Sequence, residues 1–340
     1  MRALIVLLTL LGLLPALAAE PGRSVNENPD NEIFLSNDQI SGWLLDNPGN
    51  AGQDGGGFNL LCHVDYPGKS IYHPQMVGLN FEHIFNGATM NNDIAMFTPR
   101  KESGRLKKTK SVRQASLVWE AENTSWGVDC HMRYHFIEPN AIELNFEAIP
   151  RQEKWPQGYL AFMWASYMAR TAERQIHFWG TDGVKEGWMA FGEDTQDAQG
   201  FETGTVAFQG VDPLPYEAGA QDLNIVEHPT KRFVLPFYYG LLDGDHALST
   251  TEDRLAYIVM FDQTESIRFA LWNFIKDNKG QADPHSPAWD WQFVVRNPEV
   301  GRRYTYRMRV VIVPFTNRDD ILALYHNWPK KVRQPVRRYP

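Results

Sequence analysis

Short runs of alternating or continuous apolar residues recur along this chain, each closed by turn-forming residues, and they leave little room for any other secondary structure. They are Phe58–Val64, Leu79–Phe85, Ile94–Thr98, Val112–Ala121, Gly127–Ile137, Ile142–Ile149, Tyr159–Met168 and Arg174–Trp179. The series continues through Gly187–Phe191, Thr203–Gln209, Arg232–Tyr239, Leu255–Phe261, Ile267–Trp272, Trp289–Arg296 and Arg302–Phe315. β-Branched and aromatic residues at period two suit the pleated surface of a sheet. Pro67-Gly68, Asp182-Gly183 and Asp243-Gly244 supply turn chemistry between runs. Only Thr316–Asn327 has helical character, with Thr316 as the predicted N-cap and two Asp in the first turn.

Many strands, one terminal helix and no alternation of strand with helix predict an all-β chain. About fifteen strands exceed the roughly seven to nine of an immunoglobulin sandwich, and no fixed-period repeat of the propeller kind is present. No Ser- or Pro-rich linker divides the chain. The expectation is one large antiparallel β-sandwich, a supersandwich, over residues 58–340, ending in a short C-terminal helix and a basic tail. Ahead of it, residues 20–57 are rich in Asn, Asp, Gly and Pro, with apolar pieces at Ile33–Leu35 and Ile40–Leu45. They predict an N-terminal arm carrying one or two edge strands.

Residues 1–19 have a basic Arg2, an apolar run from Ala3 to Leu14, a break at Pro15 and the small-x-small site Ala16-Leu17-Ala18. That pattern reads as a secretory signal peptide cleaved near Ala18, which places the mature chain in the periplasm or outside the cell. No other stretch is long and apolar enough to span a bilayer. The formal charge is −8, or −9 once the +1 of Arg2 leaves with the leader, and this argues against nucleic acid as the main partner. The two cysteines, Cys62 and Cys130, would meet an oxidising compartment. Both lie in apolar alternating segments, so one disulfide and two buried thiols remain equally open.

The densest set of chemically capable side chains is Asp129–Ile149, two alternating segments joined by Glu138-Pro139-Asn140. Successive side chains of a strand point to opposite faces. Asp129, His131, Arg133 and His135 therefore share one face, with Cys130, Met132, Tyr134 and Phe136 on the other. On the following strand Glu143, Asn145 and Glu147 lie together. A three-residue loop at Pro139–Ala141 would set Arg133 opposite Glu147 and His135 opposite Asn145. Such a face is either a plain solvated sheet surface with cross-strand charge pairs or the lining of a groove. In a groove His131 and His135 would exchange protons, Glu147 would act as base or acid, and Arg133 would hold a substrate carboxylate. A shared metal is disfavoured, because His131 and His135 lie about 13 Å apart along a strand.

A second focus is Tyr72–Gly87. There His73 precedes a proline, and Asn80, Glu82 and Asn86 fall on one face of a predicted strand, with His83 opposite between Phe81 and Phe85. His73 and Glu82 join the candidate catalytic set, and Asn80 and Asn145 the candidate substrate-binding set. Eleven Trp are present, and aromatic faces suit sugar rings. From the pool Trp164, Trp179, Trp188, Trp272, Trp289 and Trp291, most are expected in the core. Trp179, alternating with His177, is the chosen contact residue, and His177 goes with it. Two basic runs, Arg100–Arg113 and Lys330–Arg338, read as a solvated loop and a loose terminus, or else as attraction for an anionic polysaccharide. Asn123-Thr-Ser125 matches a glycosylation sequon. No phosphate-cradling glycine loop, GxSxG elbow or Cys-type zinc cluster is present, so no cofactor and no metal is implied.

The leader, the long run of strands rich in Trp and Tyr, and the closing strand Tyr304-Thr-Tyr-Arg-Met-Arg-Val-Val-Ile-Val-Pro-Phe315 before a short helix resemble the galactose mutarotase-like supersandwich proteins. That group includes sugar epimerases and the β-sandwich domains of many polysaccharide lyases and glycoside hydrolases. The resemblance covers most of the mature chain and transfers no catalytic residue. It implies a carbohydrate partner, an oligo- or polysaccharide, and an activity of lyase, hydrolase or epimerase type. The alternative is a non-catalytic carbohydrate-binding or cell-envelope protein on the same fold.

Overall fold

A computed structural model of the chain describes residues 31–46, 55–66, 69–73, 76–89, 98–100, 102, 104–196, 200–220, 225–243 and 254–328. The leader, the basic tail after Trp328 and most of the run Ile94–Thr98 lie outside them. The described part is all-β, with one short helix at its C-terminal end. In the N-terminal segment β1 (Glu32–Ser36), β2 (Ile40–Leu45) and β3 (Phe58–His63) form a three-stranded antiparallel sheet. There follow β4 (Asn80–Phe85), β5 (Arg105–Lys108), β6 (Gln114–Trp119), β7 (Val128–Ile137), β8 (Ala141–Pro150) and β9 (Tyr159–Ala165). Next come β10 (Ile176–Thr181), β11 (Glu186–Phe191), β12 (Gly204–Ala207), β13 (Arg232–Phe233) and β14 (Phe237–Leu242). The chain ends with β15 (Leu255–Phe261), β16 (Ile267–Trp272), β17 (Ala288–Arg296), β18 (Tyr304–Pro314) and α1 (Arg318–Asn327).

Two large sheets form the sandwich. One is ten-stranded, in the order β11-β10-β14-β15-β18-β8-β7-β6-β5 with β13 beside β10, and the other is five-stranded, β12-β16-β17-β9-β4. Their facing sides supply the core. Phe146 of β8 meets Trp164 of β9 edge-on at 4.8 Å, and Trp164 stacks on Phe81 at 4.9 Å and on Trp291 at 5.6 Å. Trp164, Trp289 and Trp291 are fully buried there, as large aromatics in a sandwich should be. Gly240 is glycine because the Trp289 ring occupies the space of a side chain: a Cβ built there would lie 2.1 Å from it. Cys62 and Cys130 are both buried free thiols, which resolves the open choice between thiols and a disulfide.

Three local readings differ from the structure. The basic run 100–113 contributes an edge strand, β5, whose Lys107 and Lys108 are exposed; edge lysines oppose further strand addition. At the helix, Asn317 rather than Thr316 is the N-cap, accepting the Asp320 N–H at 3.0 Å, while Thr316 bonds the Asp320 carboxylate. The hairpin pairs Ile137 with Ala141, so its loop is Glu138-Pro139-Asn140 and every pairing moves by two residues. Arg133 faces Asn145, His135 faces Glu143 and His131 faces Glu147, in place of Arg133 with Glu147 and His135 with Asn145. The cause is remote in sequence. Asn37, at the β1–β2 turn, donates to Ile137 O at 2.8 Å and to Ala141 O at 3.1 Å, pinning the last pair. Because the shift is even, it leaves the two faces unchanged.

Candidate functional site

Each large sheet has an outer face, and the two outer faces differ in burial. On the ten-stranded sheet Asp129, His131, His135, Glu143, Asn145 and Glu147 are half-buried and Arg133 is exposed. Glu143 pairs with Arg309 at 2.7 Å and Glu147 with Arg303 at 3.2 Å, which is ordinary cross-strand pairing on a wetted sheet. On the five-stranded sheet the outward polar residues are buried. Asn80, Glu82, His83, Arg268, Asp290 and Gln292 are all 3% exposed or less. Sequestering ionisable groups is costly unless they are paired, so this face is where function is to be sought.

A β-bulge assembles it. β4 pairs Phe81 with Trp164 and then His83 with Met163, leaving Glu82 as the extra residue. Bulges redirect side chains and disturb the alternation. Asn80 and Glu82 thus face outward, but so does His83, which stacks on Phe85 at 5.8 Å. The expected placement of His83 opposite Glu82 fails because strict period two does not survive the bulge.

Glu82, 2% exposed, accepts from Arg100 Nη1 at 2.5 Å and from the Tyr167 hydroxyl at 3.1 Å on Oε1, and from Asn80 Nδ2 on Oε2. Burial opposes the Arg100 charge, but Glu82 and Tyr167 outweigh it and hold the guanidinium above its ordinary range. Burial first, then Glu82 and Asp290, push the Tyr167 phenol well up. Asp290 stands between Trp289 and Trp291 on β17 and is 1% exposed. Its Oδ1 accepts the Ser166 N–H at 3.0 Å, and Ser166 Oγ in turn accepts the Leu79 N–H at 3.1 Å. Among the described residues Asp290 Oδ2 has no hydrogen-bond partner. Burial, reinforced by the nearby Glu82, raises the Asp290 carboxyl well above the usual carboxylate range. The floor beside it is low, because Ala165 and Ala270 occupy neighbouring outward positions.

The candidate residues named from sequence fall into three places. Asn80 and Glu82 belong to the cluster, and His73 stands at its edge, its N–H bonded to Tyr167 O at 2.9 Å. Burial lowers the His73 imidazole, against the pull of Asp283. His131, Arg133, His135, Asn145 and Glu147 lie on the other sheet's outer face, with the core between them and Glu82, so the expected convergence of Arg133, His135, Glu147 and Glu82 does not occur. His177 and Trp179 lie on that same sheet near α1. There His177 bonds Glu173 at 2.7 Å and stacks on Tyr239 at 5.0 Å, and Trp179 meets Trp188 edge-on.

Sequence reasoning passed over Arg100, Tyr167 and Asp290. Asp290 carried a signal, a lone carboxylate between two tryptophans in a predicted strand. Arg100 and Tyr167 carried none. Elsewhere, a groove of about 750 Å³ between Phe208–Asp212 and Arg302–Thr305 has its arginines engaged, Arg302 by Glu299 and Arg296 by Asp212 O. Among the described residues no group of three His, Cys, Asp or Glu is placed to hold a metal ion, and no helix is long and apolar enough to cross a membrane.

No family model matches the chain, and no curated protein does. Among solved structures it is similar to a protein of Synechocystis sp. PCC 6803, at 10% identity over 85% of this chain and 97% of that one, with a TM-score of 0.49. It is also similar to an aldose epimerase homologue from C. elegans, at 11% identity over 84% and 99%, with a TM-score of 0.42. A third match is a galactose mutarotase-like protein from Lactobacillus casei, at 9% identity over 83% and 100%, with a TM-score of 0.45. Similarity at this level carries no argument about chemistry. Two of these three structures are described as an aldose epimerase homologue and a galactose mutarotase-like protein.

Proposed function

We propose that this chain is a carbohydrate-active enzyme that transfers a proton to and from a sugar oxygen at Asp290. The observation carrying the reading is a buried carboxyl, raised by that burial above the ordinary carboxylate range, with one oxygen unpartnered among the described residues and an arginine-held Glu82 beside it. A carboxyl raised above the ordinary carboxylate range is what a general acid working near neutral pH requires. Glu82, held by Arg100, Tyr167 and Asn80, lies close enough to Asp290 to reinforce the burial that favours its protonated form. Asp290 Oδ2 then gives its proton to the ring oxygen as the bond from C1 to that oxygen breaks, the anomeric hydroxyl losing its own proton to water, and both protons return as the ring recloses. Tyr167 and Arg100 are positioned to hydrogen-bond substrate hydroxyls or a carboxylate, with His73 at the rim. Sugar as the substrate class follows from the supersandwich resemblance, and ring opening and reclosure of an aldose is the simplest reaction that one such carboxyl serves. Export through residues 1–19 belongs to the same proposal, and N-terminal sequencing of secreted protein beginning near Ala19 would support it.

Anomer exchange on a panel of aldoses, followed by polarimetry, tests the activity, with reducing-end and unsaturated-product assays on neutral and uronic polysaccharides in parallel. Asp290→Asn should lower kcat by about 10²–10⁴, the usual contribution of a positioned acid. Full turnover by that variant removes Asp290 from the mechanism.

A second reading, sugar binding without turnover, is favoured by one feature: both Glu82 oxygens are already occupied. It predicts glycan binding with no product in any of these assays.

A further inference from the structure

Two features singled out in the sequence, the basic run and the polar hairpin face, meet on one surface. Pairing runs across five strands as Lys107 opposite Ser116, Ser116 opposite Arg133, Arg133 opposite Asn145, and Asn145 opposite Arg307. Directly paired residues point to the same side, so this row lies on the outer face of the ten-stranded sheet. Strands are roughly 4.8 Å apart, which sets Lys107, Arg133 and Arg307 at intervals of about 10 Å. Ser116 and Asn145 stand between the cations as neutral hydrogen-bonding groups.

Glu147 and Glu143 of this face are already paired, Glu147 with Arg303 just ahead of β18 at 3.2 Å, and Glu143 with Arg309 at 2.7 Å and with Arg307 at 3.7 Å. Arg133 and Lys107 are exposed, and neither charged end has an ion-pair or hydrogen-bond partner among the described residues. Two residues from Arg133 on the same strand, His131 keeps a buried Nε2 without a partner. The His131 imidazole is lowered by burial and then by Arg133 and Lys107, which places both cations within electrostatic reach of it.

We propose that this row is a binding strip for an anionic polysaccharide, separate from the Asp290 site and on the opposite side of the sandwich. The spacing selects the ligand. Duplex nucleic acid carries a charge about every 1.7 Å of axis, far denser than two free cations can match on a chain of net charge −8. A sugar chain bearing carboxylates or sulfates spaces its charges more widely and offers hydroxyls between them. A pyranose ring is about as long as the gap between strands, so hydroxyls fall over Ser116 and Asn145 when charges sit over the cations.

The test uses the full chain and affinity electrophoresis in gels containing polygalacturonate or chondroitin sulfate, with dextran as the neutral control and duplex DNA as competitor. Retention is expected on at least one of the two polyanions at about 50 mM salt, falling steeply by about 300 mM because exposed charges are screened. The Lys107→Ser/Arg133→Ser double variant should bind at least tenfold more weakly with an unchanged melting temperature. Lys107→Ser alone, on the edge strand, should weaken binding about threefold. Asp290→Asn should leave binding unchanged, so failure here is distinguishable from failure of the Asp290 reading. No retention on either polyanion, undiminished binding by the double variant, or tighter binding to DNA than to both polysaccharides overturns the proposal.

Discussion

Replacing Asp290 by asparagine should stabilise the protein, by an amount that depends on pH. In the unfolded chain this carboxyl titrates near its ordinary 3.8, whereas burial and the adjacent Glu82 raise it well above that in the fold. Between those two values the folded state binds a proton that the unfolded state lacks, so stability falls as pH rises. The slope is at most about 1.4 kcal/mol per pH unit. The accumulated cost is therefore at most about 1.6 kcal/mol at pH 5 and roughly 4 kcal/mol at pH 7, and it vanishes below pH 3.8. Asparagine has the same shape, accepts the Ser166 N–H through its own Oδ1 and does not titrate. At about 2 °C per kcal/mol for a large domain, Asp290→Asn should melt up to roughly 8 °C higher at pH 7 and up to about 3 °C higher at pH 5. Calorimetry of both proteins from pH 4 to 8 measures the difference. A constant offset across that range, or a lower melting temperature for the variant at pH 7, would refute the assignment of a buried, uncharged Asp290. A stabilised variant that has lost turnover would also show that the site is maintained at the expense of stability.

Two further outcomes concern the scaffold. Burial would raise Glu202, but hydrogen bonds from His228 and Lys231 hold it at about 2, so it contributes stability above pH 4.5 that is lost as pH falls toward 2. Lys231→Met should cost roughly 2–4 kcal/mol at neutral pH by leaving this largely buried carboxylate poorly paired, and an undisplaced acid-unfolding midpoint would count against the pairing. Gly240→Ala should destabilise by about 1–3 kcal/mol through overpacking against Trp289; a urea midpoint equal to that of the parent would show that the ring yields freely.

Much of the fold was readable because strand periodicity is local. Alternation along Asp129–Ile149 put Cys130, Met132, Tyr134 and Phe136 in the core and the charged residues outside, and the structure keeps both faces. The runs from Phe58 to Phe315 mark most of the strands. Arg232–Tyr239 divides into β13 and β14, and Arg105–Lys108 adds a strand that charge had disguised as a loop. The candidate site was less legible. Glu82 and Asn80 were named from their spacing, but their partners Arg100, Tyr167 and Asp290 come from segments far away in the chain.

By itself, then, the sequence determined the class of fold, the sides of each strand and a short list of capable side chains, because those follow from neighbours one and two residues apart. Tertiary structure decided the rest. Asn37 set the hairpin register from a hundred residues away, and the bulge at Glu82 redirected a strand that strict alternation had misread. Which polar face is buried and which is wetted depends on what packs over each sheet. That difference in burial separates the carboxylates of the proposed site, Glu82 and Asp290, from Glu143 and Glu147 on the wetted sheet.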